Sequence, residues 1–370
     1  MLELIQNIVI KCYTEIRTHV GINVSLKLEY FIFDKTNVDS LKQLLLLNKA
    51  NVKYLCSKDG IFHDEFNEIC NLEHLCVMYM NNDVPVENDD RFNELIERNK
   101  AYYIVGIAGS DISTSIPTFS IRAFRYMTTL YLNDIQIQQE CIHDITDYLS
   151  NNDNIQSISL NSVTCSEHEI CDSNCLQHIN LEHSKNIENL DLSDVNIIVT
   201  KINKSCLKSV TLIPLSKNIA KSYIDLFKCI GSSGLECLDV HGEHMLDDST
   251  VKDLIGTIKT LSCIKTIKLD RMTLPDNIYV QSNVRHLHVK MSWLIMTDTS
   301  FESFIECCTR NKTHINVELD ECKIRKYDGD DYRDMSDDLS VNYMHERLKD
   351  KLHVKITYEN CNSLHFELQN

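Results

Sequence analysis

Met127–Ile137 reads MTTLYLNDIQI, with its apolar residues at Met127, Leu130, Leu132, Ile135 and Ile137. Counted from Met127, these are slots one, four, six, nine and eleven. Slots four and six alternate, which puts both on one side of a short strand. Slots nine and eleven carry the apolar face round a corner. One such coil cannot bury that face alone; copies stacked on it can.

The copies are present. Slot four returns at Leu26, Leu55, Leu75, Val105, Leu130, Ile158, Leu190, Val210, Leu238, Ile267, Leu287, Val317 and Val354, mostly 25–32 residues apart with several intervals near 20. Slot six follows two residues later, as in Leu132, Leu160, Leu192, Leu212, Val240, Leu269, Val289 and Leu319. The series resembles the leucine-rich-repeat family, whose pattern is L-x-x-L-x-L-x-x-N/C-x-L, over nearly the whole chain. The resemblance implies an α/β solenoid, a horseshoe with a concave parallel β-sheet and helices or irregular segments on its convex side. Strands about 4.8 Å apart would make thirteen coils an arc on the order of 60 Å long.

Helical periodicity fills the longer coils. Cys141, Ile142, Ile145, Tyr148 and Leu149 share a face, as do Val251, Leu254, Ile255, Ile258 and Leu261, and then Phe301, Phe304, Ile305 and Cys308. Val38–Leu47, Asp64–Cys70 and Arg91–Arg98 are further helix candidates. Thr299 with Glu302, and Thr250 with Asp253, read as capping boxes at helix starts. Leu2, Ile5, Ile8, Val9, Cys12 and Ile16 make an amphipathic helix, so residues 1–22 read as an N-terminal cap. The solenoid then runs over 23–322. Residues 323–370 hold an acidic insertion, a helix around Leu339–Lys349 and a strand at Leu352–Tyr358, together a C-terminal cap.

Two places depart from the family. Slot nine, where the family has Asn or Cys to bind backbone at the bend, holds Phe31, Ile135, Val163, Val195, Leu215 and Met272; Cys322 is the clearest match. Those bend groups then need other partners. The second departure is Asn161–Asn186. Cys175–Leu181, CLQHINL, looks like a repeat, yet Ile187–Leu192 follows too soon for a full coil. Either Ile158 to Leu190 is one long irregular coil, or the marker is misplaced there.

Composition narrows the function. An apolar fraction of 43% with 25% charged residues is ordinary for a globular chain. The net charge of −17 argues against nucleic acid and anionic membranes, and suits a basic partner. The sequence shows no secretory leader and no run long enough to span a bilayer. The 16 cysteines therefore read as reduced thiols, and the expected location is the cytoplasm, with the nucleus open.

Chemistry-bearing motifs are few. Cys165, His168, Cys171, Cys175 and His178 form a metal-ligand candidate, but their spacing matches no standard zinc pattern, and cysteine also packs as a small apolar residue. The acidic stretch with Asp328, Asp330, Asp331 and Asp334 lacks the closing Glu and the central Gly of a calcium loop. Neither nucleophile-elbow nor phosphate-loop glycine patterns occur. Cys307 and Cys308 fall on a helical pattern, and nothing in sequence pairs with His241 or His244. The expectation is a chain that is not an enzyme and needs no cofactor.

Slots five and seven face away from the core. They give Tyr131 and Asn133, Ser159 and Asn161, Asp191 and Ser193, Thr211 and Ile213, Asp239 and His241, Lys268 and Asp270, His288 and Lys290, Glu318 and Asp320. Of these, Tyr131, Asn133, Asp191, Asp239, His241, Lys268, Asp270, His288, Lys290 and Glu318, together with Arg285 and His286, are the candidate partner-binding set, because aromatic and cationic groups are enriched in hot spots. The leucine-rich-repeat resemblance implies a protein partner on the concave face of a monomeric scaffold or adaptor. One alternative is a metal-binding or redox-sensing protein built on the Cys165–His178 cluster. Another is a substrate-recruiting subunit of a ubiquitin ligase, although the first 40 residues lack an F-box pattern.

Overall fold

The computed structural model describes residues 29–33, 38–57, 69, 74–79, 103–109, 128–137, 147–165, 177–195, 197–231, 234–243, 245–276, 284–310, 314–327, 332–349, 351 and 354–368. The expected N-terminal cap and the helices at 64–70 and 91–98 lie outside these residues, apart from Ile69. The chain is α/β, its strands mostly parallel, and it forms two compact units, Met1–Cys175 and Leu176–Asn370.

In the first unit the strands are β1 (Tyr30–Phe33), β2 (Tyr54–Ser57), β3 (His74–Tyr79), β4 (Tyr103–Gly109), β5 (Thr129–Ile137) and β6 (Ser157–Cys165), with helix α1 (Val38–Asn48) after β1. They pair in sequence order, every neighbour parallel. The α1 helix was expected at Val38–Leu47 and buries Leu41, Leu44 and Leu45.

The second unit repeats the plan. Its strands are β7 (Gln177–Leu181), β8 (Asn189–Val195), β9 (Ile197–Ile202), β10 (Ser209–Pro214), β11 (Cys237–His241), β12 (Thr266–Asp270), β13 (His286–Ser292), β14 (Ile295–Thr297), β15 (His314–Asp320), β16 (Lys323–Tyr327), β17 (Tyr332–Asp334), β18 (Val354–Glu359) and β19 (Ser363–Leu368). Its helices are α2 (Lys217–Ile230), α3 (Asp248–Ile258), α4 (Asp298–Arg310) and α5 (Asp337–Leu348). Strands β8, β10, β11, β12, β13 and β15 are parallel neighbours in that order. Shorter strands follow the corners: β7 pairs with β9, and β14 with β16.

Slots four and six are the core. Leu190, Val210, Leu238, Ile267 and Val317, with Leu192, Leu212, Val240, Leu269 and Leu319 two residues on, are all at most 2% exposed. Each such side chain contributes roughly 1.5–3 kcal/mol when removed from water. The amphipathic helices supply the opposite wall. Phe301, Phe304, Ile305 and Cys308 of α4 are buried, as are Val251, Leu254, Ile255 and Ile258 of α3.

One hydrogen-bond motif recurs at slot two in both units. The carbonyl there accepts two N–H groups from the next coil: Glu29 from Lys53 and Tyr54, Thr128 from Gln156 and Ser157, Glu188 from Lys208 and Ser209, Lys208 from Glu236 and Cys237, Glu236 from Lys265 and Thr266. Slot-two side chains also pair by charge across coils, in Glu29–Lys53, Glu188–Lys208 and Glu236–Lys265. These pairs are exposed and individually weak, but they mark the register.

That register corrects several sequence-based placements. Phe31 pairs with Leu55 and is 1% exposed, so slot four of the first coil is Phe31 and not Leu26. In β4, Ile104 aligns with Leu75 and Leu130, one residue before Val105. In β13, Val289 aligns with Ile267 and Val317, so slot four is Val289 rather than Leu287. Three alternating apolar residues there, Leu287, Val289 and Met291, satisfy two registers equally, and the neighbouring strands choose. Val354 is not a further parallel rung. It lies in an antiparallel hairpin, β18–β19, and β19 pairs antiparallel to β15. The repeat-like Cys175–Leu181 is not a rung of the main sheet of its unit: β7 pairs with β9, while Leu190 keeps its place at slot four.

The caps also shift. Asp247 accepts the Thr250 N–H at 2.8 Å, so it caps α3 and Thr250 is its third residue. Thr297 Oγ1 accepts the Ser300 N–H at 3.0 Å, so the cap of α4 is Thr297, two residues before Thr299.

The corner that should have carried an Asn ladder is built differently. Ser162, Asp194, Glu243, Arg271, Trp293 and Glu321 all have φ between 44° and 54°, the left-handed region. Each follows slot seven, with Gly242 inserted before Glu243. In the second unit the corner N–H groups donate to the next coil: Gly242 to Asp270 O (2.7 Å), Arg271 to Ser292 O (3.0 Å) and Trp293 to Asp320 O (2.9 Å). Backbone carbonyls of the adjoining strand ends thus satisfy these corner N–H groups. Cys322 fills its expected part in addition, its thiol donating to Met291 O at 3.3 Å.

Candidate functional site

The outward residues of the second unit form rows across its parallel strands and onto the antiparallel β19. One row runs Asp191, Thr211, Asp239, Lys268, Lys290, Glu318 and His365; the next runs Ser193, Ile213, His241, Asp270, Ser292, Asp320 and Ser363. The corrected register puts Lys290, rather than His288, beside Lys268.

Asp239 is the centre of the first ion-pair group. Lys268 Nζ donates to its Oδ2 at 2.9 Å, and His241 Nε2 lies 3.1 Å from its Oδ1. The second contact is close but badly directed, so Oδ1 has charge compensation without a well-formed hydrogen bond. The other imidazole nitrogen, Nδ1, is 3.2 Å from Asp270 Oδ2. Burial pushes the Asp239 carboxyl up, but His241 and Lys268 outweigh it and hold it below its ordinary range. His241 is raised, chiefly by its contact with Asp239. Asp270 is raised because burial outweighs His241 and Arg271.

Around this group lie residues the sequence reading did not single out. Arg271 grips both carboxylate oxygens of Glu243, at 2.6 and 2.7 Å, and lies 3.6 Å from Asp270. Asp194, in the left-handed conformation near the end of β8, is raised by burial and by Glu243. The signal for Glu243 and Arg271 was opposite charge one coil apart, 28 residues, at a position no slot covered.

His241, Glu243 and Asp270 bring ligand atoms within 4.8 Å of one another. In the structure they form an ion-pair network: both imidazole nitrogens face carboxylates, which favours the protonated ring. Arg271 also occupies Glu243.

A second group centres on Glu318 and Asp320. Lys290 Nζ is 3.8 Å from Glu318 and 3.3 Å from Asp320, His288 is 3.9 Å from Glu318, and His365 contacts Asp320 at 2.9 Å. Burial raises Asp320, but hydrogen bonds from His365, Ser363 and Lys290 bring it below its ordinary range. Tyr358 stacks near His365, centroids 5.0 Å apart. His286 meets His314 edge-on at 5.3 Å, and Arg285 is exposed beside it.

The candidates therefore divide. Asp239, His241, Lys268 and Asp270 are brought together, as are His288, Lys290 and Glu318. Asp191 accepts from Ser193 Oγ at 2.7 Å within its own strand. Tyr131 and Asn133 belong to β5 of the first unit. Tyr131 is half-buried, while the Asn133 side chain lies outside what is described. Of the cysteine–histidine cluster, His168, Cys171 and Cys175 lie outside the described residues, and His178 is exposed in β7. Cys307 and Cys308 are both core, and burial raises the Cys308 thiol well above its usual range. Among the described residues no helix is long and apolar enough to cross a membrane.

No protein-family model matches the chain, and no curated protein matches it either. What defines it is its architecture, an α/β protein with a mostly parallel sheet and a charged outward face.

Proposed function

We propose that the chain is a divergent leucine-rich-repeat solenoid, a scaffold or adaptor whose concave face binds a protein partner. The single observation that carries this reading is the pair of outward rows in the second unit, where charged side chains and the imidazoles of His241 and His365 are set at regular spacing across neighbouring strands. Supporting the repeat assignment are the slot-two carbonyl motif in both units and the left-handed corner that closes coil after coil. The ion pairs hold their side chains in place, so less rotamer freedom is lost on docking.

The test is affinity capture from the cell that makes the protein, read by quantitative mass spectrometry. The double variant Arg285→Glu with Lys290→Glu alters the outward face, and Lys252→Glu alters exposed α3. Proteins retained by the wild type and by Lys252→Glu, but lost from the face variant, support the reading. A retained set that ignores the face variant overturns it.

A further inference from the structure

Resting on that reading, we infer that the corner formed by Trp293 and Glu321 is a receptor for an arginine side chain in an extended basic segment of the partner. Trp293 is the chain's single tryptophan, and it is 49% exposed. It occupies the left-handed corner after β13, a position filled elsewhere by Ser162, Asp194, Glu243, Arg271 and Glu321. The corner geometry is general to the coils. The exposed indole is particular to this one.

Two groups there are uncommitted. Among the described residues the indole stacks on no ring and no cation, and the Glu321 carboxylate has no hydrogen-bond or ion-pair partner. The nearest corner cation, Arg271, is already held by Glu243 and Asp270. Trp293 and Glu321 stand at the same corner of successive coils, with the Trp293 N–H donating to Asp320 O at 2.9 Å. Coils in register are about 4.8 Å apart. That spacing puts an indole and a free carboxylate on neighbouring strand ends, and a guanidinium binds such a pair by stacking on one and by paired hydrogen bonds to the other. Arginine is favoured over lysine because its flat, weakly hydrated head does both at once.

The charge around the corner agrees. Asp194, Glu243, Asp270, Asp320 and Glu321 lie at the carboxyl ends of the strands, with Arg271 and His241 there and with Lys290 and His365 reaching Asp320, and Glu321 is left unpaired among the described residues. The whole chain carries −17, so a cationic segment is drawn toward it.

The experiment uses the full chain and labelled hexa-arginine, hexa-lysine and hexa-glutamate peptides, read by anisotropy and by the emission of the sole tryptophan. Hexa-arginine should bind saturably and shift the indole emission, hexa-lysine several-fold more weakly, hexa-glutamate not at all. The deciding variant is Trp293→Glu. Glu243 and Glu321 show that the corner accepts glutamate, and circular dichroism checks the fold. If attraction is only a matter of net charge, the added carboxylate tightens binding. If the indole is the anchor, hexa-arginine binding falls about tenfold. Glu321→Gln should weaken it several-fold. Unchanged or tighter binding by Trp293→Glu, or an indole silent to hexa-arginine, overturns the inference. If that happens while capture still depends on Arg285 and Lys290, the broader reading of the face stands; loss of both overturns both.

Discussion

Glu243 and Arg271 occupy the same corner one coil apart, and the guanidinium holds both carboxylate oxygens at 2.6 and 2.7 Å. Just before Glu243, Gly242 lets the two coils come this close. A Cβ on Gly242 would lie 2.5 Å from the Arg271 carbonyl oxygen and 2.9 Å from Met272 Cβ. The oxygen is backbone and cannot swing aside. Gly242→Ala is therefore expected to destabilise the chain by about 1–3 kcal/mol, as overpacking does. Urea denaturation of the variant checks this. Arg271→Ala, which removes an exposed pair but no space, should destabilise clearly less than Gly242→Ala.

His241 gives a pH dependence with a definite sign. Its pKa is raised above the ordinary 6.5 by Asp239 and then Asp270, so folding favours the protonated ring. That contribution is whole below pH 6.5 and is lost as pH rises through the folded-state value. Asp239 and Asp320 are lowered, so theirs is present above pH 3.8 and lost as pH falls through their folded-state values. His241→Gln keeps polarity and size but not charge. Wild type should exceed it by about 1 kcal/mol near pH 5.5, with the gap closing in alkaline buffer. A gap that widens with pH would contradict the ion-pair account.

The register of β13 can be tested by substitution. Val289 is fully buried at slot four, and His288 faces outward. Val289→Ala should cost about 2 kcal/mol through the lost methyls and the cavity left behind. His288→Ala should stay within about 0.5 kcal/mol. Equal costs at the two positions would mean that the strand is turned over.

How much of this was open to sequence reading depends on the kind of signal. Slots four and six were legible because burial imposes one residue class on them in every coil, as at Leu238 and Ile267. The register was ambiguous where a strand carried an extra apolar step, as in Leu287–Met291, because alternation has no origin of its own. The corner was invisible for another reason. Ser162, Asp194, Glu243, Arg271, Trp293 and Glu321 share a backbone conformation and no side-chain chemistry. The missing Asn ladder read as a deficit at the bend. In fact the left-handed turn lets the next coil's carbonyls take the corner N–H groups, which only the folded backbone can reveal. The Asp239–Lys268 pair was half legible, as outward residues of opposite charge 29 apart. The part played by His241 between two carboxylates was not, because spacing does not show that its ring turns toward both Asp239 on its own strand and Asp270 on the next.

The thiols offer a last measurement, of solvent access. Cys263 and Cys361 are exposed, whereas Cys307, Cys308 and Cys322 are buried. Burial pushes the Cys322 thiol up to about 12, and donation to Met291 O at 3.3 Å gives its proton a use in the bend. Thiolate is the reactive species, so a thiol held protonated and covered is doubly protected. Iodoacetamide at pH 8, followed by peptide mass spectrometry, should label Cys263 and Cys361 within minutes and leave Cys307, Cys308 and Cys322 unmodified until denaturant is added. Because α4 and the β15 corner belong to one unit, the three buried cysteines should become reactive over the same denaturant range. If Cys322 reacted first, the corner would open ahead of the core, and its bond to Met291 would not be holding the bend.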